Sequence, residues 1–581
     1  MTGFAVWAPD HRSVDLVLED GRVAMSPGPS GWWGVEVAGA GAGTRYRFSV
    51  DGGPPRPDPR SASQPEGPEG PSVVVDHSRF AWHDGSWHGR PLADAVLYEL
   101  HVGTFTSAGT FDGVIERLDH LVGLGVSAIE LLPVAEFPGD RGWGYDGVDL
   151  WAPHHAYGGP DGLKRLVDAA HVRGLAVVLD VVYNHLGPSG NYLAGFGPYF
   201  TDRYRTPWGA AVNLDGAGSD GVRSFFIDNA CAWFEHYHVD GLRLDAVHAI
   251  VDESALHFLE ELAVAVEALA GHLGRTLWLI AESDRNDPRL VRSREAGGFG
   301  LDASWSDDFH HSLHALLTGE RAGYYADFGS LDYLARCYRR VFALGRDYSA
   351  YRRRHHGRPV GALAGTRFLG YLQNHDQVGN RAFGERSAAL MNPGRLRIGA
   401  ALVVLSPFVP MLFQGEEWAA STPFLYFTDH RDPELGRAIR EGRRREFPQV
   451  GSGAHEVPDP QDPATHAASV LRWEETREPV HREMLEWYRR LISLRGSYAE
   501  LTDGRLGAVE VDFDEDAGWM RIRRGRILLA FNVGRRDADV ELPDGPAEVL
   551  LAAPGSPEVA RTVRLPPDAV VVLALGPAKF L

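Results

Sequence analysis

Between about residue 90 and residue 495 the chain repeats one alternation, an apolar run of strand length followed by an amphipathic stretch with helical spacing. The runs are Val96 to Leu100, Ala128 to Pro133, Ala176 to Val182, Gly241 to Leu244, Leu277 to Ala281, Ala303 to Trp305, Phe368 to Leu372 and Val409 to Phe413. Strands separated by helices run parallel, because the helix carries the chain back to the edge it left, and eight such units are what a closed (β/α)8 TIM barrel needs. The helical stretches carry their own punctuation. Asp112 is placed to cap a helix with apolar positions Val114, Leu118, Leu121 and Val122 that ends at Gly123 or Gly125, and Gly162 to Arg173 ends at Gly174. Such a barrel keeps its chemistry on loops at the C-terminal ends of its strands, so polar residues just past each apolar run are the candidates.

The flanks follow a different pattern. Residues 1–88 hold short alternating runs, Phe4 to Trp7, Val14 to Leu18, Trp32 to Val37 and Tyr46 to Val50, which predict a small N-terminal β-sandwich. The stretch Pro54 to Pro59 and the Gly/Pro-rich run through Pro71 are expected to wrap or link. Ala508 to Phe513, Ile527 to Phe531 and Ala569 to Leu573 predict a second sandwich over 498–581, leaving 89–497 as the α/β catalytic barrel.

Composition excludes several function classes. A formal net charge of −20 repels phosphodiester backbones and anionic lipid, so neither nucleic acid nor a membrane is an expected partner. The runs Arg352 to Arg354, with His355 and His356, and Arg443 to Arg445 are read as solvated helix faces. Cys231 and Cys337 stand in no paired motif, which fits a reducing compartment, and Met1 to Pro9 shows no leader pattern, so a cytoplasmic location is expected. Fifteen Trp are a mild hint of sugar stacking, although core packing is the better account of any one of them.

Three apolar runs end in polar residues that suit one reaction. In Gly241-Leu242-Arg243-Leu244-Asp245, strand alternation puts Arg243 and Asp245 on the same side, where the guanidinium favours an ionised, nucleophilic carboxylate. Glu282 directly follows Leu277 to Ala281, and apolar surroundings keep a carboxyl protonated, ready to donate to a departing oxygen, although alone it reads better as a helix cap. The run from Phe368 continues into Gln373-Asn374-His375-Asp376, where an imidazole and a carboxylate could grip neighbouring sugar hydroxyls. Asp180-Val181-Val182-Tyr183-Asn184-His185 ends the third run with another imidazole, by itself more often structural than catalytic.

Taken together and in this order, these four runs resemble the four signature regions of the α-amylase superfamily of retaining glycoside hydrolases and transglycosylases. The resemblance implies Asp245 as nucleophile, Glu282 as acid/base and Asp376 as the third carboxylate, with Arg243, His185 and His375 lining the same subsite. It also implies that Tyr145, in Gly142-Trp143-Gly144-Tyr145-Asp146-Gly147, is the aromatic platform beneath that sugar. Retention implies two carboxyls about 5–5.5 Å apart and a covalent glucosyl-enzyme. No metal or other cofactor is expected, although Asn184 stands where some members bind calcium.

Glu136 to Asp149, Ala152 to Pro160, Trp305 to His311 and Pro458 to Pro463 resemble the maltooligosyltrehalose trehalohydrolases within that superfamily. This implies an oligosaccharide substrate, maltooligosyltrehalose, cleaved at the α-1,4 bond next to its terminal trehalose. The loops Asp307 to His311 and Glu416 to Trp418 are candidates for recognising the trehalose unit, and equally for rim packing. Gln449 to Glu456 lacks the aromatic residue expected there. The rival readings are a 1,4-α-glucan branching enzyme, which would use the same carboxylates, and a non-catalytic glucan-binding protein.

Overall fold

The structure is a computed structural model that describes residues 2–448, 450, 456–543 and 545–576. Most of the stretch Gln449 to Glu456, namely Gln449 and 451–455, lies outside the described residues. All eight expected runs are strands of one closed parallel barrel: Leu97–Leu100, Ala128–Leu131, Ala176–Val181, Gly241–Leu244, Trp278–Ala281, Ala303–Trp305, Phe368–Tyr371 and Val409–Phe413. Closure is made by the last strand on the first, with Met411 opposite Leu97 and Phe413 opposite Glu99.

Strand alternation sorts the side chains. One set, including Leu97, Ala128, Val178, Trp278, Ile280, Leu369 and Met411, forms an apolar cluster inside the barrel. The other set, including Ile129, Leu179, Leu242 and Leu279, joins the large core shared with the surrounding helices. Each apolar face is thereby removed from water on both sides of the sheet, which is why these strands are uniformly apolar.

The first helical stretch departs from expectation. It splits into Phe111–Ile115 and Leu118–Leu124, and the cap is Thr110, whose hydroxyl accepts from the Gly113 N–H at 3.2 Å. Asp112 sits in the first turn and pairs with Arg165 instead. Gly125 ends the second piece at φ +97°, a left-handed conformation that glycine adopts without a Cβ clash. The later helix runs Gly159–Val172, with Gly174 beyond it at φ +77°.

Two antiparallel sheets precede the barrel, one joining Thr2–Trp7 to Trp32–Val37 and Ser26–Pro27, the other joining Gly21–Ala24, Val14–Leu18, Arg45–Val50 and Ser72–Val73. The proline-rich stretch between them and the barrel has no regular structure but is well buried at Asp58, Ser61 and Gln64. From it Arg60 reaches Asp228 of the barrel helix Ser219–His236 at 2.8 Å. After the barrel comes a five-stranded antiparallel sheet with a separate two-stranded sheet, Ala538–Glu541 with Thr562–Leu565. Buried Arg524 ties it to the barrel by donating to the carbonyls of Leu405, Ser406 and Leu501.

The arginine runs are not both solvated faces. Arg352 and His356 belong to a hairpin, Asp347–Ser349 with Arg354–His356, and Arg352 pairs with Asp284 at 3.0 Å. Arg443 is buried, donating to the carbonyls of Gly379 and Arg381, because its helix Pro433–Glu446 lies over the loop after the seventh strand. No helix among the described residues is long and apolar enough to cross a membrane.

Candidate active site

The inward-facing positions that are apolar lower in the barrel become polar one step nearer its C-terminal end. Glu99, Glu130 and Asp180 follow the apolar inward residues Leu97, Ala128 and Val178, Arg243 follows Gly241, and all four are buried. Asp180 and Arg243 are direct partners across the parallel ladder. One further step along the fourth and fifth strands brings Asp245 and Glu282 to the rim.

Arg243 organises this layer. Its Nη1 donates to both oxygens of Asp180, at 2.9 and 2.8 Å, and to Asp245 Oδ1 at 2.8 Å, while Nη2 stands 3.8 Å from Glu282 Oε2. The guanidinium also lies 4.3 Å from the Trp305 ring centroid. Burial alone would weaken it as a cation, but the carboxylates of Asp180 and Asp245 hold it firmly charged. Asp245 Oδ2 accepts from Asn184 Nδ2 at 2.7 Å, so both nucleophile-candidate oxygens are aimed.

Glu282 differs in its surroundings. Burial pushes its carboxyl well above the usual range, and Asp245, Asp307 and Asp376 add to the push against the opposing pull of Arg243. Its Oε2 accepts the Ala246 N–H at 2.5 Å. Ala246 reaches that position only by adopting φ +40°, a left-handed conformation that costs a non-glycine residue about 1–2 kcal/mol. The strained turn therefore locks the chain after one carboxyl onto the other.

His375 and Asp376 begin the helix His375–Gly379, whose start is fixed by a capping box between Asn374 and Gln377. Asp376 is half-exposed and reaches Asn380, while His375 is buried, with Nδ1 2.6 Å from Glu99 Oε1 and Nε2 2.7 Å from the Tyr145 hydroxyl. Tyr145 in turn lies 2.6 Å from Asp180 Oδ2 and stacks on the His375 ring. His185 bonds Asn184 and the Tyr145 carbonyl, and burial lowers its basicity. Six of the seven sequence-predicted residues are thus joined by contacts running through Arg243, Asn184 and Tyr145, and Asp376 meets them at His375 Nε2, 3.6 Å away.

The loops offered for further recognition divide. Asp307 hydrogen-bonds the Tyr371 hydroxyl and is pushed to about 6 by burial, at the same rim as Glu282. Asp308 and His310 point into the core, to Asn286 and to the Leu372 carbonyl. Glu416, Glu417 and Trp418 are buried as well, with Glu416 on the Tyr488 hydroxyl and Glu417 between Tyr98 and His120, so this loop packs and does not face a sugar. The residues with no site role in the sequence reading are Glu99, Glu130, Asp180, Trp305 and Trp208, the last stacked on His185 at 4.6 Å from an exposed hairpin tip, while Asn184, noted there for calcium, instead holds Asp245. An acidic residue inside an otherwise apolar strand was the available signal for the first three.

Among the described residues one histidine and carboxylate group, Glu136, His154 and His155, brings possible metal-ligand atoms within 4.8 Å. Glu136 already accepts from both imidazoles and from the His155 N–H, so its hydrogen bonds are met within the group.

Comparison with known proteins agrees with this geometry. Residues 78–205 match the model of the alpha amylase catalytic domain, and 504–572 match a domain of unknown function, DUF3459. The malto-oligosyltrehalose trehalohydrolase of Arthrobacter ramosus is 52% identical over 91% of this chain and 93% of its own, and that of Saccharolobus solfataricus 45% identical over 91% and 90%. A branching enzyme of Pseudoalteromonas atlantica is 30% identical over 54% of this chain and 50% of its own. A crystal structure of a Salmonella typhimurium protein described as an alpha amylase superposes with a TM-score of 0.90 at 38% identity, covering 98% of this chain and 97% of that one. With identity of this degree spread across nearly the whole length, the chain belongs to the malto-oligosyltrehalose trehalohydrolase family.

Proposed function

We propose that this chain is a cytoplasmic retaining glycoside hydrolase that cleaves the α-1,4 bond adjacent to the terminal trehalose of maltooligosyltrehalose. The products are trehalose and a shortened maltooligosaccharide. The observation that carries the chemistry is the unequal treatment of two carboxyls by one environment. Asp245 is bound at both oxygens, by Arg243 and Asn184, whereas Glu282, partly buried, stands 3.8 Å from Arg243 among the carboxyls of Asp245, Asp307 and Asp376, where desolvation favours its proton.

Asp245 attacks the anomeric carbon while Glu282 gives its proton to the departing glycosidic oxygen, and trehalose leaves. Glu282, now ionised, takes a proton from water as that water displaces Asp245 from the glucosyl-enzyme. Arg243 fixes the nucleophile, Tyr145 supports the sugar face, and His185, His375 and Asp376 hold hydroxyls as the ring flattens. The domain limits 1–88, 89–497 and 498–581 place this chemistry wholly in the middle unit. The chain's relatives named for trehalose release favour water as acceptor over a sugar 6-hydroxyl.

Maltooligosyltrehalose and amylose, offered separately, test the reading. Trehalose is expected from the first, with no new α-1,6 linkages in the second. Branched product from amylose without trehalose release from the first substrate would instead make the chain a branching enzyme.

A further inference from the structure

His375 is usually counted by what its ring presents to a substrate, yet its other face is occupied by a residue from the far end of the barrel sequence. Glu99 sits within the first strand, 1% exposed, and takes His375 at two points. Its Oε1 lies 2.6 Å from ring Nδ1, and its Oε2 accepts the His375 backbone N–H at 3.0 Å.

The hydrogen-bond count around the ring fixes its protons. The Tyr145 hydroxyl has one proton and two short neighbours, Asp180 Oδ2 at 2.6 Å and His375 Nε2 at 2.7 Å. Asp180 is held by Arg243 through both oxygens, which makes it the acceptor of the tyrosine proton. Nε2 must therefore donate to the tyrosine oxygen. At the opposite nitrogen the partner among the described residues is the Glu99 carboxyl, whose other oxygen already accepts the His375 backbone N–H, so the group faces His375 as an acceptor. Nδ1 is therefore a donor as well.

We propose that Glu99 is a positioning residue that keeps His375 doubly protonated, so that an imidazolium bridging Glu99 and the Tyr145 hydroxyl stands in the sugar subsite. The groups facing the ring agree in sign. Burial by itself would lower its basicity, but Glu99 and Asp376 outweigh both burial and the repulsion of Arg243 and raise it to about 9. Asp180, held by Arg243, adds a third carboxylate, while desolvation pushes buried Glu130 well upward against its charged form, and burial lowers His101 to about 3. An imidazolium donates a stronger hydrogen bond than a neutral ring, and it offsets one of the carboxylates crowded beneath the sugar.

This deepens the proposed function, and the two fail separately because ring protonation is read without substrate. Histidine-labelled protein is titrated by nitrogen NMR, with the His375 signals identified by their loss in His375→Gln. Both ring nitrogens are expected to stay protonated through pH 8. In Glu99→Gln the midpoint falls by about 1–3 units, whereas Glu99→Asp keeps the ring cationic at pH 7. The ratio of kcat/KM for Glu99→Gln to that of the unaltered enzyme then climbs as pH drops from 8 to 5.5, a recovery that a packing defect would not give. A neutral ring at pH 7 in the unaltered protein, or an unchanged midpoint in Glu99→Gln, overturns the proposal. Should Glu99→Gln fail to fold, the same titration of the unaltered protein and Glu99→Asp decides, a cationic ring in both supporting it and a neutral one in the former overturning it.

Discussion

Exchanging one oxygen at Glu282 for a nitrogen separates its duties in chemistry from its effect on stability. Glu282→Gln is expected to lower kcat on maltooligosyltrehalose by about 10²–10⁴-fold, and to recover most of that loss on α-maltosyl fluoride, whose leaving group needs no proton. The same exchange should stabilise the fold. Burial raises the folded carboxyl well above the value of about 4.3 that it has in the unfolded chain. Between those two values the folded protein holds one more proton than the unfolded one, so stability declines as pH rises through that window. Thermal melts should therefore show a higher Tm for Glu282→Gln than for the unaltered protein at pH 7.5, with the gap shrinking toward pH 4. At this scale the pairing of Asp245 with Arg243 was legible because two-residue alternation puts both on one side, whereas Glu282 was legible as a carboxyl just past an apolar run and took its role from the resemblance. Glu99 and Asp180 obey the same alternation, but a single acid within an apolar run does not announce which partner it meets across the barrel. The left-handed Ala246 carries no sequence signal at all, since alanine does not advertise that conformation.

Among elements, the short helix His375–Gly379 matters most, because its first two residues are both in the site. Its start depends on Asn374, whose side chain accepts from the Asp376 and Gln377 N–H groups while Gln377 returns a bond to the Asn374 N–H. Asn374→Ala should cost about 1 kcal/mol of stability, read by denaturant unfolding, and should lower kcat/KM by more than that loss explains, since it frees Asp376 to wander. The barrel strands were readable to within a residue or two because each is apolar on both faces and bounded by turn residues. Caps were harder. Thr110 and Asp112 both have the chemistry of an N-cap, and only the packing of Phe111 into the core selects the earlier residue. The hairpin carrying Arg352 was hidden for a similar reason, since a run of charges has no period and its partner Asp284 follows the fifth strand, far away in sequence.

Across the whole molecule, the barrel was legible from the count and order of its strands, and the flanking sheets from their alternation. How they join was not, because those joints are made by single arginines, Arg60 on the Asp228 carboxylate and Arg524 on backbone carbonyls. Arg524 and Arg495 converge from different elements on the carbonyl of Ser406, just before the eighth strand, and no pattern in either local sequence points there. The consequence is a rim held from below, so that two carboxyls from adjacent strands keep a fixed relation to one sugar. The account stands on that relation yielding double displacement, and the anomeric form of the maltooligosaccharide freed by water reports it. Proton NMR during the first turnovers on maltooligosyltrehalose should show the newly released reducing end as the α-anomer, equilibrating to β only later. A β-anomer appearing first would contradict Asp245 as a covalent nucleophile and, with it, the mechanism proposed for this chain.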